Sequence, residues 1–407
     1  MFNYENYFRS IINDIKNEGR YRVFVDILRK SQNFPAASWF EEGKVTPKDI
    51  TVWCSNDYLG MGQNKQILDA MKDALTSCGA GSGGTRNISG TTHYHVELEK
   101  EFASLHGKDA SLLFTSGYIS NEATLSTLAS SLTNCVVFSD ELNHSSMIQG
   151  IRASGASKVI FKHNDLDDLE NKIQKIDKSI PKVIAFESVY SMDGDIAPIK
   201  QISKIAKKYS ALTYLDEVHA VGMYGKIGGG VAQELNIEHE IDIIEGTLAK
   251  AYGVMGGYIT GSKYIVDTIR SYSSGFIFTT SLPPCIVAGG LASIRYLKNS
   301  DKERRRHKYI VNILKEKLLR ANIPVIKNPS HIVPVKVGDP ILCKQASDLL
   351  LAKYKIYVQP INYPTVPRGT ERLRITPTPL HNEEMVDNLV NSLKKVWKIL
   401  NIGNIAA

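Results

Sequence analysis

The sequence predicts an α/β protein, with a mainly parallel central sheet in a large domain and a smaller α+β C-terminal domain. Short apolar runs recur through the middle of the chain, helical patterns lie between most of them, and the pattern changes after about residue 295. Strand–helix alternation implies a parallel sheet with helices on both faces. Runs that are continuously apolar, rather than alternating, suit strands covered on both sides.

The elements follow in order. Residues 1–18 mix Glu, Asp and Lys with apolar residues and lack the unbroken apolar stretch of a signal peptide, so an amphipathic helix is expected. Residues 65–78 set Ile67, Met71, Ala74, Leu75 and Cys78 on one helical stripe. Apolar runs at 111–114, 135–139, 158–161, 183–186, 212–215 and 241–244 read as the strands of the large sheet. The C-terminal part reads as a helix (307–321), a strand (332–337), a helix (341–354), two strands (356–360 and 372–376) and a last helix (382–400). The expected division is an N-terminal segment at 1–55, a large domain at 56–295 and a small domain at 296–407, the segment packing near the small domain.

Composition narrows the function class. A chain of 407 residues exceeds the ~250–300 residues at which single cores stop growing. No apolar run approaches the roughly 20 residues that span a bilayer. Five scattered cysteines without a C-x-x-C pair indicate free thiols in a reducing compartment, so a cytoplasmic protein without a membrane partner is expected. The net charge of +7 comes from bases interspersed with acids, and zinc spacing and RNP-type aromatics are missing, which excludes a nucleic-acid module. No metal site is expected. The excess charge suits a Lys-rich residue usage or an anionic ligand.

Ligands of open α/β sheets bind beyond the carboxyl ends of the strands. Polar residues just after the apolar runs are therefore the first candidates: Ser116-Gly117-Tyr118, Asn143 with His144, Glu187 and Ser188 with Ser191, Asp216 to His219, and Thr247 with Lys250. A Lys in the small-residue loop Gly246–Gly253 is poised to be partly desolvated, and such an amine forms an imine with an aldehyde. That chemistry belongs to pyridoxal phosphate (PLP), whose ring nitrogen needs an acid; Asp216 suits the role. His219 is placed for the cofactor's phenolate oxygen and His144 for its ring face. Ser116-Gly117-Tyr118 before a helix starting near Ile119 offers an anion site. The Gly79–Gly84 stretch spells G-x-G-x-x-G but follows a helix rather than a strand, so it reads as a helix stop and substrate loop, not a dinucleotide fingerprint.

The motifs Ser116-Gly117-Tyr118, Asp216-Glu217-Val218-His219 and Thr247-Leu248-Ala249-Lys250 resemble those of the α-oxoamine synthases, and the likeness runs from Gly19 to about Leu400. These are PLP-dependent transferases of fold type I that join an amino acid to an acyl-CoA with loss of CO2. Within that family, the stretches at 19–22, 51–60, 84–92 and 364–374 resemble the members that use glycine and succinyl-CoA to give 5-aminolevulinate, the entry to haem and porphyrin biosynthesis. A bacterial, cytosolic form is implied, because the long N-terminal extension and the Cys-Pro haem motif of mitochondrial forms are missing.

The resemblance implies a role for each matching residue. Lys250 holds PLP as a Schiff base and removes a glycine α-proton, Asp216 pairs with the ring nitrogen, and His144 stacks on the ring. Ser191 and His219 contact the phenolate side. Ser116, Gly117, Tyr118 and Thr247 surround the cofactor. Thr279 and Thr280 reach the phosphate from a neighbouring subunit, which implies a homodimer with shared sites. Arg374 clamps the glycine carboxylate, and Arg22, Thr85 and Asn56 hold the distal carboxylate of the succinyl group. Asn87, Ile88, Ser139, Lys158 and Thr365 complete the substrate-binding set. A mobile loop is expected at 363–372. The competing readings are the sister synthases, namely 2-amino-3-ketobutyrate CoA ligase, 8-amino-7-oxononanoate synthase and serine palmitoyltransferase. Arg22 and Thr85 to Ile88 stand against them. A non-catalytic regulatory subunit is opposed by the presence of Lys250.

Overall fold

The computed structural model describes residues 2–403; Met1 and residues 404–407, the outer ends of the first and last predicted segments, lie outside them. The chain forms two compact units. Among the described residues, one comprises 59–190 and 195–302; the other comprises 2–58, 191–194 and 303–403.

The larger unit is built on a seven-stranded sheet. Its spatial order is Ala110–Phe114, Gly257–Gly261, Ile243–Thr247, Ala211–Asp216, Lys182–Glu187, Val136–Asp140 and Ser157–Phe161. All neighbours pair in parallel except Gly257–Gly261, which is antiparallel to both of its partners. The apolar strand residues are buried as a doubly covered sheet demands: Val183, Ile184, Ala185 and Phe186 are each 0% exposed. The strand expected at 241–244 runs instead from Ile243 to Thr247, carrying Glu245 inside it. Gly257–Gly261 escaped notice because glycine closes it at both ends. Helix Lys65–Cys78 forms where expected, but it buries Ile67 and Ala74 and leaves Leu75 and Cys78 exposed, so its buried stripe is narrower than the spacing suggested. Gly79 caps it at φ +82°, so this glycine stretch ends a helix rather than opening one.

The smaller unit holds two sheets. Val333–Lys336, Arg372–Ile375 and Gln359–Ile361 form an antiparallel sheet, and Ile27–Arg29, Ala36–Trp39, Lys48–Val52 and Ile356–Tyr357 form a second one. The single strand expected at 356–360 is therefore two. Ile356–Tyr357 pairs with Lys48–Val52, whereas Gln359–Ile361 pairs with Arg372–Ile375. Helices Pro340–Tyr354 and Glu383–Ile399 cover a core that includes Trp53, Leu314, Val335, Leu350, Leu373 and Leu393. Helix Tyr4–Asn17 forms as expected and buries none of its residues. Among the described residues no helix is long and apolar enough to cross a membrane, and no His, Cys, Asp and Glu group could hold a metal.

Candidate active site

Sheet register does the first work in the larger unit. Glu187 is the register partner of Asp216, and Asp216 is the partner of Glu245, so three carboxyl groups lie side by side near the strand ends. They are 2%, 1% and 0% exposed. Asp216 is held from two sides: Asn121 Nδ2 donates to Oδ2 at 2.8 Å, and the Val218 N–H donates to Oδ1 at 2.9 Å. Asn121 is itself fixed by the Tyr214 hydroxyl at 2.8 Å. Each Asp216 oxygen keeps acceptor capacity for one more donor. Burial, reinforced by the Asp216 charge, pushes both Glu187 and Glu245 well above the usual carboxylate range.

His144, Tyr118 and Lys250 follow strand ends of the same sheet. The His144 N–H donates to Glu187 Oε1 at 2.6 Å, and its Nδ1 lies 2.7 Å from the Ser146 hydroxyl. The imidazole is thus tethered at one edge while the residue stays exposed. Its pKa is lowered, by desolvation first and by the charge of Lys250, against the attraction of Asp216, so it is neutral at pH 7. Tyr118 stands edge-on to it, with ring centroids 6.4 Å apart. Lys250 follows strand Ile243–Thr247 in a bend and is half-buried. His219 is buried, 5% exposed, in the turn after Asp216.

The anion end is equally plain. Helix Gly117–Ser131 starts two residues earlier than expected, with Ser116 as its N-cap accepting from the Ile119 N–H at 3.2 Å. A Cβ at Gly117 would meet Thr247 at 3.3 Å, so a side chain there would crowd the helix entrance. The Thr247 hydroxyl donates to the Gly256 carbonyl at 2.7 Å. The donor set of the larger unit fits a phosphorylated pyridine aldehyde: a helix N-terminus for the phosphate, a buried carboxylate for the ring nitrogen, an accessible imidazole for the ring face and an amine for the aldehyde.

The smaller unit carries a different kind of group. Arg374 is 7% exposed. Its Nε donates to the Ser191 carbonyl at 2.7 Å, Nη1 to Asn56 Oδ1 at 3.1 Å and Nη2 to the Tyr58 hydroxyl at 3.0 Å. None of these partners is a carboxylate. The fork is aimed, is not neutralised, and keeps donors for an incoming anion. Asn56, expected with the distal succinyl carboxylate, accepts a hydrogen bond from Arg374. Ser191, expected on the phenolate side, presents its backbone carbonyl to the same guanidinium. Tyr58 escaped the sequence reading; its partner lies 316 residues away in the chain, and no local motif marks it. Arg372, two residues earlier, is the contrast: it is paired with Asp193 at 2.6 Å.

The remaining candidates fall in three places. Arg22 Nη2 reaches the Thr365 hydroxyl at 3.3 Å, across 343 residues, and both line a cavity of about 920 Å³ in the smaller unit with Arg20 and Tyr363. Thr85 forms a β-bridge with Thr280, and its hydroxyl is buried without a partner. Beside them Asn87 is exposed, Ile88 is 71% exposed, Thr279 is half-buried and Phe278 is 80% exposed. Arg86 anchors that loop through a bidentate pair with Glu99 at 2.7 and 3.0 Å. Ser139 is buried, accepting from Asn143 Nδ2 at 2.9 Å. Lys158 stands exposed on the edge strand, at the register position of Val137 rather than at the strand's carboxyl end.

Comparison with known proteins decides among the sister enzymes. The family Aminotransferase class I and II matches residues 48–393. The 5-aminolevulinate synthase of Rhizobium meliloti (strain 1021) is 58% identical over 394 residues, covering 97% of each chain. The chain belongs to the 5-aminolevulinate synthase family. A second 5-aminolevulinate synthase, number 1 of Cereibacter sphaeroides, is 57% identical over 95% of each chain. Among solved structures, a serine palmitoyltransferase from S. paucimobilis with a bound PLP–myriocin aldimine has a TM-score of 0.89 at 28% identity, with 98% of both chains covered. The fold is thus that of the PLP-dependent aminotransferase-like enzymes, and the 5-aminolevulinate synthase family, rather than a sister, accounts for the sequence.

Proposed function

We propose that the buried acids of the larger unit and the arginines of the smaller one act in a single reaction. The chain condenses glycine with succinyl-CoA to give 5-aminolevulinate, coenzyme A and CO2, with PLP as cofactor. The observation that carries this reading is the 58% identity over 97% of the chain. When bound, PLP supplies an aldehyde and an electron-withdrawing protonated ring.

This chain's own residues do the rest. Lys250 would hold the aldehyde and, at Nζ, would take the glycine α-proton. Asp216, held by Asn121 and the Val218 N–H, would accept the ring N–H. His144, neutral and tethered at Nδ1, and His219 would hold the cofactor, at its ring face and at its phenolate oxygen. Ser116, Gly117, Tyr118 and Thr247 would surround the cofactor. Arg374 takes the glycine carboxylate, with Asn56, Tyr58 and the Ser191 carbonyl setting its angle. Arg22 and Thr365, with Thr85, Asn87 and Ile88, receive the succinyl group, whose charged end an apolar pocket would reject. Ser139 and Lys158 complete the substrate-binding set.

Thr279 and Thr280 are assigned to the phosphate of a second subunit's cofactor, in a cytoplasmic homodimer. The exposure of Ile88, Phe278 and Tyr272, at 71%, 80% and 75%, supports a covering partner there. The direct test incubates the PLP-loaded protein with glycine and succinyl-CoA and measures 5-aminolevulinate and free CoA together. A preference for acetyl-CoA, or for alanine over glycine, would replace this reading with a sister synthase. Light scattering of the loaded protein checks the dimer.

A further inference from the structure

Glu245 is a fully buried acid that the roles above leave unused. It occupies the adjacent strand to Asp216, as its register partner. Both side chains are met by helix Gly117–Ser131: the Ser120 hydroxyl donates to Glu245 Oε1 at 2.5 Å, and Asn121 donates to Asp216. Glu245 Oε2 is buried and receives no donor, while the Asp216 carboxylate is within hydrogen-bonding reach of the Glu245 carboxyl. Two ionised carboxylates in that arrangement repel, and one proton between them removes the repulsion. The same proton turns the orphaned acceptor into a donor.

Which acid carries it follows from the other partners. Asp216 receives two N–H donors, which favour its anion, whereas Glu245 receives one hydroxyl. We propose that Glu245 is a positioning residue: it stands as a carboxylic acid and donates its proton to the Asp216 carboxylate, fixing the orientation in which Asp216 meets the ring nitrogen of PLP. Burial and the Asp216 charge hold Glu245 well above the usual range, as that assignment requires. The other groups that bear on it are the phenols of Tyr214 and Tyr258, both held neutral by burial, and Lys250, which acts in the opposite direction. The proposal rests on Asp216 being the ring-nitrogen partner.

The test uses the full chain and two variants. Glu245→Gln keeps an N–H donor without a titrating proton; Glu245→Leu keeps the approximate volume without a donor. PLP affinity is measured by fluorescence titration, and the cofactor's visible absorption is followed against pH. Glu245→Gln should bind PLP within about threefold of the native chain, and Glu245→Leu at least about tenfold more weakly, the loss of one hydrogen bond to a charged group. The absorption–pH profile should move only in the Leu variant. A role in packing alone predicts native PLP affinity for Leu, and that result overturns the proposal.

If the Leu variant does not fold, the apo form of Glu245→Gln decides. On this assignment the folded protein carries a proton on Glu245 that the unfolded chain releases above pH 4.5. Stability therefore falls as pH rises above 4.5, and Gln should flatten that slope by one proton. An unchanged slope also overturns the proposal. Asp216→Asn separates the two assignments. If it leaves PLP affinity and spectrum native, the Asp216 reading fails. If it disrupts them while Glu245→Leu does not, only the Glu245 proposal fails.

Discussion

The two units bury opposite charges and neutralise them by opposite means. In the larger unit, Glu187, Asp216 and Glu245 are at most 2% exposed, and protonation removes much of the charge. In the smaller unit, Arg374 is 7% exposed and meets only neutral oxygens. An arginine cannot discard its charge as a carboxyl can, so its burial among neutral acceptors leaves a standing demand for an anion. The acid cluster makes a complementary demand for one cationic N–H at Asp216. The lesson is that each unit is incomplete in the sense that its own ligand completes.

Four measurements break or sharpen that contrast. Asp216→Ala removes the only acid of the cluster assigned to the ring nitrogen; kcat should fall about a thousandfold, or about 4 kcal/mol in the barrier, with weakened PLP binding. Steady-state assay and PLP titration check it, and near-native turnover would sink the assignment. Arg374→Ala should raise the KM for glycine by about 10–100-fold, the 1.5–3 kcal/mol of a charge-assisted contact, while PLP affinity holds. An unchanged glycine requirement would move the carboxylate elsewhere.

His163 tests whether every acid of the larger unit is neutralised by protonation. Burial lowers its pKa, but Asp140 at 2.9 Å and Asp195 at 2.7 Å outweigh that and raise it to about 10. Its folded pKa exceeds the unfolded 6.5, so its stabilisation is complete below about 6.5 and fades as pH rises towards 10. Asp195→Asn should therefore cost about 2 kcal/mol at pH 7 and progressively less on the alkaline side. Denaturant titrations at several pH values measure it, and a pH-independent loss would count against the pair. Arg22→Leu should give the smallest change. Arg22 is exposed here and touches only Thr365, so succinyl-CoA should lose about 1 kcal/mol relative to butyryl-CoA. An unchanged preference ratio would remove Arg22 from the specificity argument.

The large sheet was legible because its strands are unbroken apolar runs such as Val183 to Phe186, and its candidates because strand ends are where ligands bind. Legibility failed where the signal was not local. The reading stopped one strand at Ile244 because a carboxylate does not belong in an apolar run, and so it missed Glu245. Asn56 and Tyr58 meet Arg374 across more than 300 residues, and nothing in Asn56-Asp57-Tyr58 announces an arginine. Val358 is buried between two short strands that pair with different partners, a change of sheet that the run from Ile356 to Pro360 conceals.

Four residues in the middle of the chain, Ser191–Gly194, belong to the smaller unit. Through the Ser191 and Met192 carbonyls and the Asp193 carboxylate they grip Arg374 and Arg372. Gene architecture inherits a restriction from this. A split at residue 302 would release a C-terminal fragment whose two buried guanidinium groups had lost these anchors. The enzyme therefore cannot be taken apart into separately expressed modules at its apparent sequence boundary, and any recombination that exchanges its C-terminal part must bring along a matching tetrapeptide from the centre of the gene.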